Sequence, residues 1–218
     1  MTTTAVETNL TEASGRGWAG LLAPLGGLGL VAGLIALFVT PAGDDGGETP
    51  AEVVAYAASH EGWSAAISIF GLLSVLLGAA FVAGLRERVR SVATQTESTL
   101  VLIGGIVFTL GFVLTLMIWG APLVDLPEDP ARALVAAEAY LTFDDVGWFL
   151  LGVAGVGAAL MAVPASLAAI RGGLVPAWLG WVGVVLGVAS LATVAFFGIF
   201  AWMAWIAVAS LAMLLARR

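Results

Sequence analysis

The residues able to do chemistry are few and fall in two places. His60-Glu61 and Asp144-Asp145 each set ionisable groups directly before a long apolar stretch. One imidazole and three carboxylates meeting at a point could ligate a divalent cation or form an acid/base pair. Against this stands the plainer expectation that acids flanking apolar stretches are solvated loop charges set by topology. Ser59 is the only hydroxyl beside the sole histidine, and consecutive residues on a helix do not face each other, which argues against a nucleophile–base pair. The expectation is therefore no catalytic group, no cofactor and no metal. His60, Glu61, Asp144 and Asp145 are kept only as weak cation candidates.

A second set is basic. Arg86-Glu87-Arg88-Val89-Arg90, Arg171 and the pair Arg217-Arg218 follow apolar stretches and read as topology anchors that also meet anionic lipid headgroups. Composition removes most other chemistry. The chain has no cysteine and one histidine, so thiolate catalysis, Cys-held metals and HExxH zinc sites are excluded. All eight basic residues are arginine, which excludes lysine Schiff bases and a P-loop lysine. Nothing in the pattern supports nucleic-acid binding.

The elements positioning these residues are set by hydropathy. Over 218 residues, 61% are hydrophobic and 11% charged, with a mean hydropathy of +1.06. A water-soluble domain carries roughly 25% charged residues, so this chain belongs in a bilayer. Uncharged runs of about 20 residues suffice to cross the hydrocarbon core. They predict spans at about 18–40, 63–85, 99–121 and 146–170, and a final run of double length split at Phe196-Phe197-Gly198 into 175–196 and 198–216. The fold class expected is an all-α polytopic helical bundle of six transmembrane helices arranged as three hairpins. It forms a single membrane domain, 18–216, behind a disordered cytoplasmic tail, Met1–Gly17. The first apolar run exceeds a secretory h-region and reads as a retained helix rather than a signal peptide.

With both termini cytoplasmic, seven of the eight arginines lie inside with four acids. Arg132 alone lies outside, with eleven acids. This N-in/C-in arrangement obeys the arginine bias of inner loops. Two short outer helices are expected, at about Pro50–His60 and Pro130–Phe143. Thr49-Pro50-Ala51-Glu52 has the grammar of a capping box, and Asp129-Pro130 repeats the cap and proline. Their apolar stripes read as Val53, Val54 and Ala57, and as Leu134, Val135 and Leu141.

Inside the spans, no Asp, Glu, Lys, Arg or His occurs, which argues against a proton-coupled carrier. The polar residues left there, Ser68, Ser74, Thr109, Thr115, Ser190 and Thr193, can bond to their own helix backbone. Trp181, Trp202 and Trp205 lie deep in their spans and are expected to need partners within the bundle. Gly29/Gly33 and Gly183/Gly187 form GxxxG pairs suited either to packing within the bundle or to a homo-oligomer or membrane-protein partner. Pro164 is expected to kink the fourth span.

Pro176-Ala177-Trp178-Leu179-Gly180-Trp181, following the turn Arg171-Gly172-Gly173, resembles the fifth-helix opening of an uncharacterised, domain-of-unknown-function family of small bacterial six-helix integral membrane proteins. The resemblance loosely covers Gly17 to Arg218. It implies architecture and no mechanism. The leading expectation is a non-enzymatic accessory or scaffold protein of a bacterial inner (plasma) membrane. A facilitator or channel for a small neutral or apolar solute comes second, and a lipid-modifying enzyme using the outer carboxylates third.

Overall fold

The computed structural model describes residues 19–38, 49–124 and 127–215. The tail 1–17, Arg217 and Arg218 lie outside the described residues. Among the described residues seven α-helices follow one another: α1 (Ala19–Phe38), α2 (Pro50–Ser59), α3 (Glu61–Arg90), α4 (Gln95–Val124), α5 (Pro130–Arg171), α6 (Ala177–Ala189) and α7 (Phe197–Leu215). A 3-10 segment, Ser190–Ala195, joins α6 to α7. Among the described residues there is no strand, and six helices are long and apolar enough to cross a membrane. The chain therefore has the make-up of a multi-pass membrane protein.

The predicted break in the last apolar run is present, and its physical cause is local. The α6 ladder tightens to 3-10 geometry from Ser190, and Phe196 then takes φ 68°, ψ −44°, a backbone state that ends the helix before α7 begins. The outer helices differ from expectation in one respect. The first is separate, stopped by His60 at φ −132°, ψ 34°. The second is not a distinct helix: α5 runs unbroken for 42 residues from Pro130 through Asp144 and Asp145 to Arg171. No glycine or proline lies between Ala131 and Val146, so nothing interrupts the hydrogen-bond ladder there. At about 1.5 Å per residue the helix is roughly 63 Å long, and its outer third projects beyond any bilayer core.

The bundle buries small residues interleaved with large ones and leaves many aliphatic side chains facing outward. On α3 the buried stripe is Ile67, Gly71, Ser74, Gly78, Phe81, Leu85 and Val89, whereas Leu72, Leu73 and Leu76 are exposed. The small members allow close helix contact, and the outward leucines suit a lipid-facing surface. The most extensive interface is between α4 and α5. There a Cβ on Gly157 would lie 2.2 Å from the Phe108 backbone nitrogen, and one on Gly104 would lie 2.5 Å from that of Met161. Only glycine permits backbones to approach this closely. The helix α1 packs on α3 and α7.

The GxxxG glycines are filled from within the chain. The Phe70 ring occupies the space beside Gly33, Leu77 lies against Gly29, Ser166 meets Gly183, and Ala162 meets Gly187. Pro164 is buried inside α5. Trp202 and Trp205 are buried, as their depth predicts, but Trp181 is 56% exposed and faces away from the bundle. Its neighbour in register, Gly180, takes the inward position instead, with Ile170 packed against it.

Candidate functional site

At the acidic end, opposite the arginines, α2 begins with a complete capping box. The Thr49 hydroxyl accepts from the Glu52 amide at 3.4 Å, and the Glu52 carboxylate accepts from the Thr49 amide at 3.0 Å. The helix lies on the outer third of α5 through Val53, Ala137 and Tyr140. The apolar stripe on that part of α5 is therefore Ala133, Ala137 and Tyr140, not the expected Leu134 and Val135, which are exposed. Counting in helical steps of three and four from Ala133 leads through Tyr140 to Asp144, Gly147 and Leu151, so one continuous face serves both the outer contact and the bundle. Asp144, on that face, is half-buried, whereas Asp145 is exposed. The two carboxylates thus diverge.

His60 is held by its own helix turn. Its ring stacks on Tyr56 with centroids 4.4 Å apart. Its Nδ1 lies 2.8 Å from the Ser59 hydroxyl and 3.1 Å from the Tyr56 carbonyl oxygen. Only Nε2 is left to meet anything else. Among the described residues, no three His, Cys, Asp or Glu side chains come together as a metal site would require. This end presents a local cap on α2 and a dispersed negative charge.

The other end gathers the arginines. The sequence Thr94-Gln95-Thr96-Glu97 is a second capping box, opening α4: the Thr94 amide donates to Glu97 at 2.8 Å, and the Glu97 amide donates to the Thr94 hydroxyl at 3.3 Å. The same Glu97 carboxylate accepts from the Arg171 guanidinium across 74 residues of chain, tying the start of α4 to the end of α5. The T-x-x-E spacing was the signal for the box, but nothing local announced the ion pair. Arg90 pairs more loosely with Glu87, at 3.7 Å. Arg86 and Arg88 make no ion pair among the described residues, and Arg86 Nε is shut from solvent without a partner.

Arg88 stands at a cleft. The ends of α3, α5, α6 and α7, with the turn Leu174-Val175, enclose about 80 Å³. Its walls are aliphatic or small, including Leu85, Ala165, Leu179, Val208 and Ala212. Arg88 is its one charged lining side chain and Ser166 its one hydroxyl. Ser166 is already engaged, accepting from Trp205 Nε1 at 3.2 Å. No sequence reading pointed to this cleft, because its walls come from four separated segments.

Between the two ends, five hydroxyls are spent on backbone, whereas Ser210 Oγ and Trp202 Nε1 are buried without a hydrogen-bond partner among the described residues. Ser74 donates to Gly71, Thr109 to Gly105, Ser190 to Leu186 and Thr193 to Ser190, each within its own turn. Thr115 bonds to Gly111 and also to Gly147 of α5, at 2.9 and 3.1 Å. The centre of the bundle is aromatic, with Trp202 set edge-on against Phe108 and Phe112 at 5.1 and 5.8 Å. No protein-family model, curated protein or solved structure matches the chain.

Proposed function

We propose that this chain is a non-enzymatic accessory or scaffold protein of a bacterial inner membrane. In this reading its six spans form three hairpins, and the arginine end with both termini is cytoplasmic. The single observation that carries the reading is the state of the interior. The hydroxyls of Ser74, Thr109, Thr115, Ser190 and Thr193 are committed to helix carbonyls. Ser210 and the Trp202 indole are isolated polar groups in an apolar surround, and an aromatic cluster of Phe108, Phe112 and Trp202 fills the middle. Such an interior stabilises a rigid bundle and offers a polar solute no succession of free donors and acceptors. The outer acids fit the same picture, with His60 bound to its own turn and the carboxylates of Asp144 and Asp145 diverging. The layout also fits the resemblance to small bacterial multi-pass proteins at Pro176–Trp181.

The test is permeability. Full-length protein in liposomes, challenged with glycerol or urea gradients and followed by light scattering, is expected to swell no faster than protein-free liposomes. A several-fold acceleration would replace the scaffold with a facilitator of small neutral solutes.

A further inference from the structure

The cleft at the arginine end has a chemistry that the scaffold reading does not use. We propose that it binds one anionic phospholipid from the leaflet on the arginine side, with an acyl chain in the cleft and the phosphate on Arg88. The inference holds whether the protein is a scaffold or a facilitator.

Three features select this occupant. The walls are apolar apart from the Ser166 hydroxyl, which accepts from Trp205, so the part of a ligand reaching inward meets an almost wholly hydrocarbon lining. Small side chains at Ala165, Ala169, Ala209 and Ala212 leave the space that a flexible chain can fill. The charge at the mouth is unspent: Glu87 takes Arg90 and Glu97 takes Arg171, while Arg88 pairs with no carboxylate among the described residues. Arg88 is also half-buried, so its aliphatic stem lies along the apolar wall while the guanidinium keeps its fork of donors for phosphate oxygens. A lipid with a net negative headgroup satisfies both halves of the cleft. A zwitterionic lipid offers the same phosphate, but its cation would meet the surrounding arginines.

Native mass spectrometry of the full-length protein, titrated with phosphatidylglycerol or with phosphatidylcholine of the same acyl chains, tests the assignment. Wild type is expected to bind the first lipid more tightly by about fivefold, the effect of one arginine at the membrane surface. Arg88→Gln should erase that preference, whereas Arg90→Gln, which removes an already paired charge, should keep it. Ala212→Leu fills the cleft without touching a charge and should weaken both lipids. Equal loss in the two arginine variants would mean a diffuse basic surface and overturn the site. Unchanged binding in Ala212→Leu, or full displacement by glycerol phosphate, would show that no acyl chain enters. Equal affinity of wild type for both lipids would reject the proposal without recourse to any variant.

Discussion

Thr115 shows how much a single polar atom carries in this bundle. It is fully buried, and its hydroxyl meets two carbonyl oxygens, one on its own helix and one on the facing turn at Gly147. A Cβ on Gly147 would lie 2.5 Å from the Trp119 indole nitrogen, so glycine is what lets α4 approach α5 at this level. A hydroxyl in this position fixes the register of α4 against α5 where apolar contacts alone would allow sliding. Thr115→Val keeps the shape and removes the bond. It should lower stability by about 0.6 kcal/mol, the average for side-chain hydrogen bonds within membrane bundles, and by no more than about 1.7 kcal/mol. Reversible unfolding in mixed micelles measures it, and a variant as stable as wild type would reduce the contact to coincidence. The bond could not be read from sequence. Thr115 is legible as a hydroxyl in a span, but its partner is set by the rotation of α5. The same limit hid the Glu97–Arg171 pair, whereas the capping boxes at Thr49 and Thr94 were legible because their partners lie three residues apart.

At the scale of elements, the junction between α6 and α7 concentrates the strain. Phe196 is the one non-glycine residue with positive φ among the described residues. Its ring is braced by Phe38, Trp148 and Phe200 at 6.0, 6.1 and 5.5 Å. The aromatic contacts hold a backbone state that an L-residue otherwise avoids at a cost of about 1–3 kcal/mol. Two variants separate ring from backbone. Phe196→Ala and Phe196→Gly lose the same ring contacts, but only glycine relieves the φ, so the glycine variant should be the more stable by about 1 kcal/mol. An equal melting temperature for the two would show that the junction relaxes once the ring is gone. The position of this break was legible because an uncharged run of twice the bilayer thickness must turn somewhere, and a glycine after two bulky aromatics marks the place. The continuity of α5 was misread for the opposite reason. Asp129-Pro130 announces a helix start, and nothing in Thr142–Asp145 announces a stop. Charge there was taken as a boundary, yet charge bounds only the membrane and leaves the helix free to continue.

For the whole molecule, the charge distribution sets an arginine end against an acidic end. The fold brings Arg86, Arg88, Arg90 and Arg171 to the end where Glu97 closes α4 onto α5, while Glu52, Glu138, Asp144 and Asp145 lie at the other. This segregation was legible in the sequence, since alternating spans carry alternate connections to opposite sides and the arginines follow that alternation. Which glycine faces which helix was not, because a GxxxG pair has no address until its neighbour is placed. The orientation is open to direct measurement in a chain that has no cysteine of its own. Single cysteines at Thr94, in the arginine-end turn, and at Gly46, in the opposite connection, should behave differently in intact cells. Gly46→Cys is expected to react with a membrane-impermeant maleimide, and Thr94→Cys only after permeabilisation. The reverse pattern would place the arginines outside, against the bias that orients most multi-pass chains, and would move the Arg88 cleft to the outer leaflet. Labelling of both from outside would mean an even number of spans between them. That outcome would conflict with α3, the one helix between Gly46 and Thr94 that is long and apolar enough to cross a membrane. An α3 of 30 residues lying in the membrane must cross it, for at roughly 45 Å it exceeds the hydrocarbon core. One crossing puts the two cysteines on opposite faces, so only opposite labelling is compatible with the fold, and the sign of the difference fixes the orientation.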